Sequence, residues 1–519
     1  MSNVEVKTAN QPRILPWLDQ PVSIAPLAVF RIVFGLLMLG STIRFWALGW
    51  IEDHYIQSKV QFKYYGFEWV QLLPPAGMYT LHVGMLLGAL GIMLGYRYRW
   101  SALLFFLTFT YTELIDLTYY LNHYYFVSWV SLLLIFLPAN RYFSLDARRN
   151  PAIHNPLTPR WTILILQFQL AAVYVFAGLA KINYAWLIEA MPLRIWLPAN
   201  DTLPLIGPLL KWHYTPWLFS WAGMLYDCTI VFWLSYRRTR LWAYTAVIFF
   251  HVVTGLMFQI GVFPAVMIGA TLIFFPAGWH ERVLRVLGHW TLKIFPMFNK
   301  ELAKDFGQGV LMHETPPPAP PLKGRGDVAP LLAYAVEHVA VYSTSPLPFR
   351  GGVGGGVSRA ESDAQTLKSI AKWAGGLALL AFLLFHLLFP WRYLLYPGNL
   401  FWTEEGYRFS WRVMLMEKAG TATFYVRDGQ TGREGVVNNG DFLCAHQEKQ
   451  MAMQPDMILQ FAHFLEQHYA AKGVSKPAVR AEVYVTLNAQ PSRLLIDPHA
   501  DLTKIEDSWK HKDWILHYE

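Results

Sequence analysis

From residue 24 onward, long apolar runs alternate with short polar connectors. A helix crosses the hydrocarbon of a bilayer in about twenty residues. Runs near that length lie at Ile24–Ile43, Gly77–Leu94, Ala102–Thr118, Phe126–Ala139, Thr162–Ala180, Leu218–Leu234, Trp242–Met257, Phe263–Phe275 and Ala371–Leu388. The pattern predicts a polytopic α-helical membrane protein with about nine transmembrane helices. The basic connectors "GYRYRW", "NRYFSLDARRN" and "SYRRTR" follow the second, fourth and sixth runs, so all three fall on one side. The positive-inside rule makes that side cytoplasmic. The N-terminus is then cytoplasmic, and an odd number of spans sends the C-terminus out. The opening "MSNVEVKTANQPR" is polar and leads into an apolar run without a small-residue cleavage site, so the first run reads as a retained span.

Two stretches break the alternation. Residues 301–368 hold "TPPPAPPLKGRG" and "SPLPFRGGVGGGVS", a Pro- and Gly-rich composition that reads as a cytoplasmic linker. It separates a membrane module, residues 1–300, from the ninth span, residues 369–395. Residues 396–519 then form a C-terminal mixed α/β domain, expected to be extracytoplasmic. In it, "TATFYVRDGQTGREGVV" reads as two strands around an Asp- and Gly-rich turn. Met457, Phe461, Phe464 and Leu465 recur at helical spacing, with Gly473 as a stop. "AEVYVTL" and "RLLID" read as further strands. This domain carries no nucleophile elbow, phosphate loop or zinc signature, which leaves any chemistry to the membrane part.

Composition supports the membrane reading. Of 519 residues, 54% are hydrophobic and 15% charged, against about 25% charged in soluble domains. The 22 tryptophans suit interfacial belts. The net charge is +8, but the basic residues lie in short clusters between apolar runs, which excludes a nucleic-acid-binding face. Two cysteines, Cys228 in an apolar run and Cys444 in the polar C-terminal part, point away from a disulfide framework.

The ionisable residues within the apolar runs are the candidates for function. Lys181 follows twenty uncharged residues in "WTILILQFQLAAVYVFAGLAKINYAW". A lysine at a span end commonly snorkels to the headgroups, but an ionisable residue at membrane depth more often marks a site. Desolvation favours the neutral amine, which can accept a proton. Glu113 and Asp116 stand three apart near the outer end of the third run, with Asn122 and His123 just beyond. The topology places Lys181 and the Asn122–His123 pair toward the same outer leaflet. His251 sits in "VIFFHVVTGLMFQIG", and Arg31 in "AVFRIVFG". Alone, His251 reads as a core histidine bonded to a neighbouring helix, and Arg31 as a paired structural charge or a site. Together these residues favour a proton-handling site over a snorkelling anchor. The spacing for a metal site is absent.

"FAGLAKINYAW", "LNHYYFVSW", "FFHVVTGLMFQIGVFP" and "WTEEGYRFSWRVMLMEK" followed by "VRDGQTGREG" resemble the vitamin K-dependent gamma-glutamyl carboxylase family. The resemblance covers nearly the whole chain except the linker. It implies an enzyme that uses vitamin K hydroquinone (or menaquinol), molecular oxygen and carbon dioxide to carboxylate the γ-carbon of glutamate, while the quinone leaves as its epoxide. It implies Lys181 as catalytic base, with His123 and Asn122 beside it. His251, Asn122 and Arg31 are the expected cofactor-binding residues. Trp402 and Tyr407, in the segment resembling the glutamate-presenting region, are the expected substrate-binding ones. The partners expected are the lipid bilayer and a glutamate-containing exported protein or peptide. Vertebrate members have two adjacent lysines where this chain has Ala180 and Lys181, and a disulfide for which Cys444 has no evident mate. The chain therefore resembles a bacterial-type homologue, expected in an inner membrane. Two other readings stay open: a quinone epoxidase without carboxylation, and a non-enzymatic membrane scaffold or export factor built on the same module.

Overall fold

The computed structural model describes residues 17–294 and 359–518 apart from 205 and 259, with the side chains of 291–294 and 359–373 left aside. Strand β1, Pro21–Ser23, leads into helix α1, Ala25–Ala47. Helices α2, Pro75–Leu94, α3, Tyr98–Ile115, and α4, Asn122–Phe136, follow. Strand β2, Leu157–Pro159, pairs antiparallel with β1 and leads into α5, Trp161–Ala180. The little ladder therefore sets the first turns of α1 and α5 side by side. Then come α6, Thr215–Ser235, α7, Arg240–Met257, α8, Phe263–Thr271, and α9, Ala277–Ile294. Consecutive helices pack from α1 to α4 and again from α5 to α8, and α8 returns to pack on α1.

Six helices are long and apolar enough to cross a membrane among the described residues: α1, α2, α5, α6, α7 and the run Ala374–Leu395. The pair Phe263–Phe274 and Ala277–Trp290, bent by 118°, makes seven if it counts as one span. The expected count of about nine is not reached, and the reasons are local. Helix α3 carries Arg99, three threonines and Glu113. Helix α4 has 15 residues, a rise of about 22 Å against the ~30 Å of a hydrocarbon core.

The expected linker lies outside the described residues as far as residue 358. Helix α10, Arg359–Leu388, reaches back into its last ten positions. A 3₁₀ turn, Phe389–Leu395, completes the final apolar run.

Strands β3, Lys418–Arg427, and β4, Glu434–Val436, form the hairpin expected around the Asp428 turn, where Asp428 Oδ1 accepts from the amides of Gln430 and Thr431 at 2.8 Å each. Helices α11, Ala445–Met451, and α12, Pro455–Ala471, precede β5, Ala478–Leu487, and β6, Arg493–Leu494. The antiparallel sheet has the order β4-β3-β5-β6. The strand expected over "RLLID" is only two residues long, with an isolated bridge from Ile496 to Ile515 beyond it. Met457, Phe461 and Leu465 of α12 bury against Phe424, Val479, Ala481 and Val483 of the sheet. That is the apolar face of a helix meeting the inward face of alternating strands.

This domain docks on the helical bundle through buried polar contacts. Gln447 Nε2 lies 2.8 Å from Ser58 Oγ, 2.7 Å from Val60 O and 2.8 Å from Asp116 Oδ2. Asp116 is therefore not the second member of a helical acidic pair with Glu113. Helix α3 stops at Ile115, and the extended Asp116 instead caps the short turn that follows, accepting from Thr118 N at 2.9 Å.

Candidate functional site: a buried lysine–aspartate pair beside a cavity

Helix α5 is tightly packed on α6 because Gly178 leaves room for it. A Cβ at Gly178 would come within 2.6 Å of both the Cys228 amide nitrogen and Sγ. This close approach brings Lys181, one turn further on, against Asp227 of α6. Lys181 Nζ donates to Asp227 Oδ2 at 2.7 Å and to Ala177 O at 3.2 Å. Both residues are buried. The Lys181 ammonium also lies over the Trp186 indole, 5.4 Å from the ring centroid. Asn183 arranges this by accepting from Trp186 N at 2.9 Å, and the indole Nε1–H donates to Ser220 O at 3.0 Å. Lys181 is thus not a snorkelling side chain. Asp227 escaped the sequence reading, although a lone Asp in "GMLYDCTIVFW" is the same kind of intramembrane signal that drew notice to Lys181.

Tyr174 precedes Lys181 by seven residues, two turns back on the same face of α5. Its hydroxyl lies 3.0 Å from His251 Nε2. His251 is buried, and its Nδ1 has no partner among the described residues. The ring of Phe263 stands 5.5 Å from that of His251 and 5.6 Å from that of His123. Lys181, Tyr174, His251 and His123 therefore form one file, linked by a shared helix face, a hydrogen bond and Phe263. Asn122, next to His123, donates from Nδ2 to Arg412 O at 2.7 Å and accepts from the Tyr120 hydroxyl at 3.1 Å. Asn122 thus ties the bundle to the 404–414 segment, where Glu404, Phe409, Trp411 and Met414 all have positive φ. Such non-glycine conformations cost about 1–3 kcal/mol each and cluster at functional sites.

A cavity of about 260 Å³ opens at this end of α5. Phe176, Ala180, Ile182 and Asn183 wall it on one side, and Trp391, Tyr393, Phe401, Ser410 and Arg412 are among the residues facing them. Ala180 and Ile182 flank Lys181 in the chain.

Two expected positions lie elsewhere. Arg31 is near the start of α1, whereas Lys181 ends α5, and the β1–β2 ladder puts those helix starts together. Its guanidinium donates to Ile92 O and Met93 O at 2.8 Å each and to Phe143 O at 2.6 Å. Gly95, with φ +64°, makes space for it, since a Cβ there would come within 2.6 Å of Arg31 Nη1. Arg31 is a connector tie at the opposite end of the bundle from Lys181. Trp402 is 1% exposed in the core of the C-terminal domain, where Nε1 donates to Leu516 O at 2.8 Å and the ring lies 4.9 Å from that of Tyr518. Its neighbour Phe401 reaches the cavity instead. Tyr407 is half-buried, with its ring 6.3 Å from that of Phe401.

The HTTM domain family matches residues 19–279, half of the chain. The family "Vitamin K-dependent gamma-carboxylase, lumenal domain" matches residues 372–519. The chain belongs to the vitamin K-dependent gamma-glutamyl carboxylase family. No solved structure matches it. The two matched regions meet at the site, since the HTTM part contributes Lys181, Asp227, His123 and His251 while the carboxylase part contributes Arg412 and Phe401. In this carboxylase-family protein the polar file thus lies in the helical module, and the strained segment closes the cavity from the other domain.

Proposed function

We propose that this chain is an integral membrane carboxylase that couples oxygenation of vitamin K hydroquinone to addition of carbon dioxide at the γ-carbon of glutamate in an exported protein, with Lys181 as the base. The observation that carries the reading is Lys181 itself, buried and hydrogen-bonded to Asp227 beside a cavity that a strained segment of the carboxylase-type domain helps to wall. A buried ion pair is weak support for stability, because desolvating two charges offsets much of their attraction. Its retention here fits a proton-transfer role. Moving one proton across the 2.7 Å contact, from Nζ to Asp227 Oδ2, leaves the neutral amine that a base requires. Ala177 O and the Trp186 face keep that amine in place.

A quinone headgroup fits the residues present. Among the described residues, His251 Nδ1 is buried and unpartnered, as are both amide atoms of Gln169 on α5, and Phe263 adds an aromatic wall. His251, His123 and Asn122 are the residues we assign to holding it. When bound, reduced vitamin K or a menaquinol supplies reducing power for oxygen and a base strong enough for the glutamate γ-proton. The protein's part is to orient, to exclude water and to move the first proton at Lys181 Nζ. In this reading the N-terminus is cytoplasmic, residues 396–519 face outward from a bacterial inner membrane, and residues 301–368 connect the two parts.

The test uses the full chain in lipid nanodiscs with vitamin K hydroquinone, oxygen, labelled bicarbonate and a glutamate-rich peptide. Epoxide and fixed label are expected together, and both should vanish in Lys181→Met. Epoxide without label would reduce the function to hydroquinone oxygenation, and neither product with any quinone would overturn the enzymatic reading.

A further inference from the structure

The cavity beside Lys181 has one charged lining residue, Arg412. Arg412 is 7% exposed and has no carboxylate within ion-pair distance among the described residues. Its guanidinium carbon lies 4.2 Å from the centroid of the Tyr393 ring, which also lines the cavity, and its buried Nε has no hydrogen-bond partner among the described residues. A buried guanidinium left in that state is unusual, because orphaned buried donors cost free energy and buried charges are normally paired. The other arginines near the segment are satisfied: Arg408 pairs with Asp456, and Arg392 donates to Phe389 O and Arg408 O. The polar neighbours of Arg412 in the wall are also used locally. Asn183 caps the turn bearing Trp186, Asn399 accepts from Phe401 N at 2.9 Å, and Ser410 donates to Tyr407 O. Of the residues lining the cavity, Arg412 is the one with a buried polar atom left unpartnered among the described residues.

We propose that Arg412 is the receptor for the side-chain carboxylate of the substrate glutamate, holding it through Nε–H and one Nη–H in a bidentate pair. An Nε–Nη edge matches the spacing of two carboxylate oxygens, and such charge-assisted pairs are strong and directional. The Tyr393 face fixes the guanidinium plane by cation–π stacking. Asn122, next to His123 in the chain, holds the Arg412 carbonyl and so also sets where the carboxylate sits. Phe176, Ile182, Leu400 and Phe401 keep the surroundings apolar, which strengthens a charge-assisted bond. Burial also pushes the Arg412 guanidinium down from its usual value, a desolvation that an incoming carboxylate would relieve.

The inference rests on glutamate being the substrate, so its test reads binding rather than turnover. A fluorescent peptide with a central glutamate, and its glutamine counterpart, are titrated against the full chain in nanodiscs and followed by anisotropy. The wild type should prefer the glutamate peptide about tenfold to a hundredfold, as expected for a hydrogen-bonded charge. In Arg412→Gln the two peptides should bind equally. Arg412→Lys, which keeps the charge but loses the fork, should retain a reduced preference. Discrimination kept by Arg412→Gln overturns the proposal, and so does a wild type that does not discriminate. Equal loss of both peptides in both variants also overturns it, since a structural role for Arg412 accounts for that result. A wild type that discriminates but fixes no label would instead count against the carboxylase reading and leave the carboxylate receptor standing.

Discussion

At the scale of single residues, Lys181 and Asp227 stand or fall together. Lys181→Arg keeps a cation but one that stays protonated, so epoxide formation should fall to background in the nanodisc assay. Full activity in that variant would remove Lys181 as the base. Asp227→Asn keeps the size and loses the acceptor charge, stranding the ammonium. Its kcat for epoxide formation should drop by about 10²–10⁴, the usual contribution of one positioned acid–base group. Substrate affinities should change much less. Trp402 makes the opposite case. Because it fills the core of the C-terminal domain, Trp402→Ala should cost about 3–5 kcal/mol of stability and lower the melting temperature. A rise in peptide KM without loss of stability would return Trp402 to a binding role.

At the scale of elements, the site depends on how closely α5 meets α6. Gly178→Ala forces a methyl against the Cys228 backbone, and backbone cannot yield as a side-chain tip can. Overpacking of this kind costs about 1–3 kcal/mol. The helices should separate, and activity should fall through a looser Lys181–Asp227 pair although neither residue is altered. Epoxide turnover measured beside thermal stability checks this, and an alanine variant with unchanged turnover would show that the close approach is incidental. Hydrophobic patterning located the helices well, because each apolar run is the thing a span must bury in lipid. It misjudged how many qualify as full spans. Run length says nothing of where a helix bends, as at Phe274–Ala277, or of how far polar residues such as Thr108, Thr112 and Glu113 shorten its apolar stretch.

At the scale of the whole chain, the C-terminal domain is held to the bundle by buried polar groups such as Gln447, and the 404–414 segment is tied into that domain by ion pairs, among them Arg408 with Asp456. Arg408 of the strained segment binds Asp456 and Gln454 of the domain. Burial alone would raise the Asp456 carboxyl, but the Arg408 charge and its hydrogen bonds outweigh that and hold it below the usual carboxylate range. A depressed folded-state pKa means the stabilisation is present above the unfolded value of about 3.9 and fades as pH falls through the lower folded value. Thermal unfolding of the purified protein should therefore show the wild type losing stability as pH falls from about 5 toward 3. Asp456→Asn should be weaker at pH 7, by about 1–3 kcal/mol for a half-buried guanidinium that loses its carboxylate but keeps Gln454, and show a smaller drop on acidification. A variant with the same pH profile as the wild type would rule out Asp456 as the sensitive group.

The chain's hydrophobic runs, its Pro/Gly-rich interruption and its alternating C-terminal strands by themselves specified a helical membrane module joined to a mixed α/β domain, because burial in lipid or in a core is written in periodicity. The residues of the site were partly legible too: a lysine after twenty uncharged positions and a histidine among phenylalanines are costly enough to stand out singly. What periodicity cannot carry is the partner. That Lys181 meets Asp227 depends on Gly178 letting two helices approach, that Arg31 ties connectors instead of joining the site depends on which helix ends adjoin, and that Arg412 lines the cavity while Trp402 fills a core depends on a backbone of positive φ values. Those are contacts between residues tens to hundreds of positions apart, and only tertiary packing decides them.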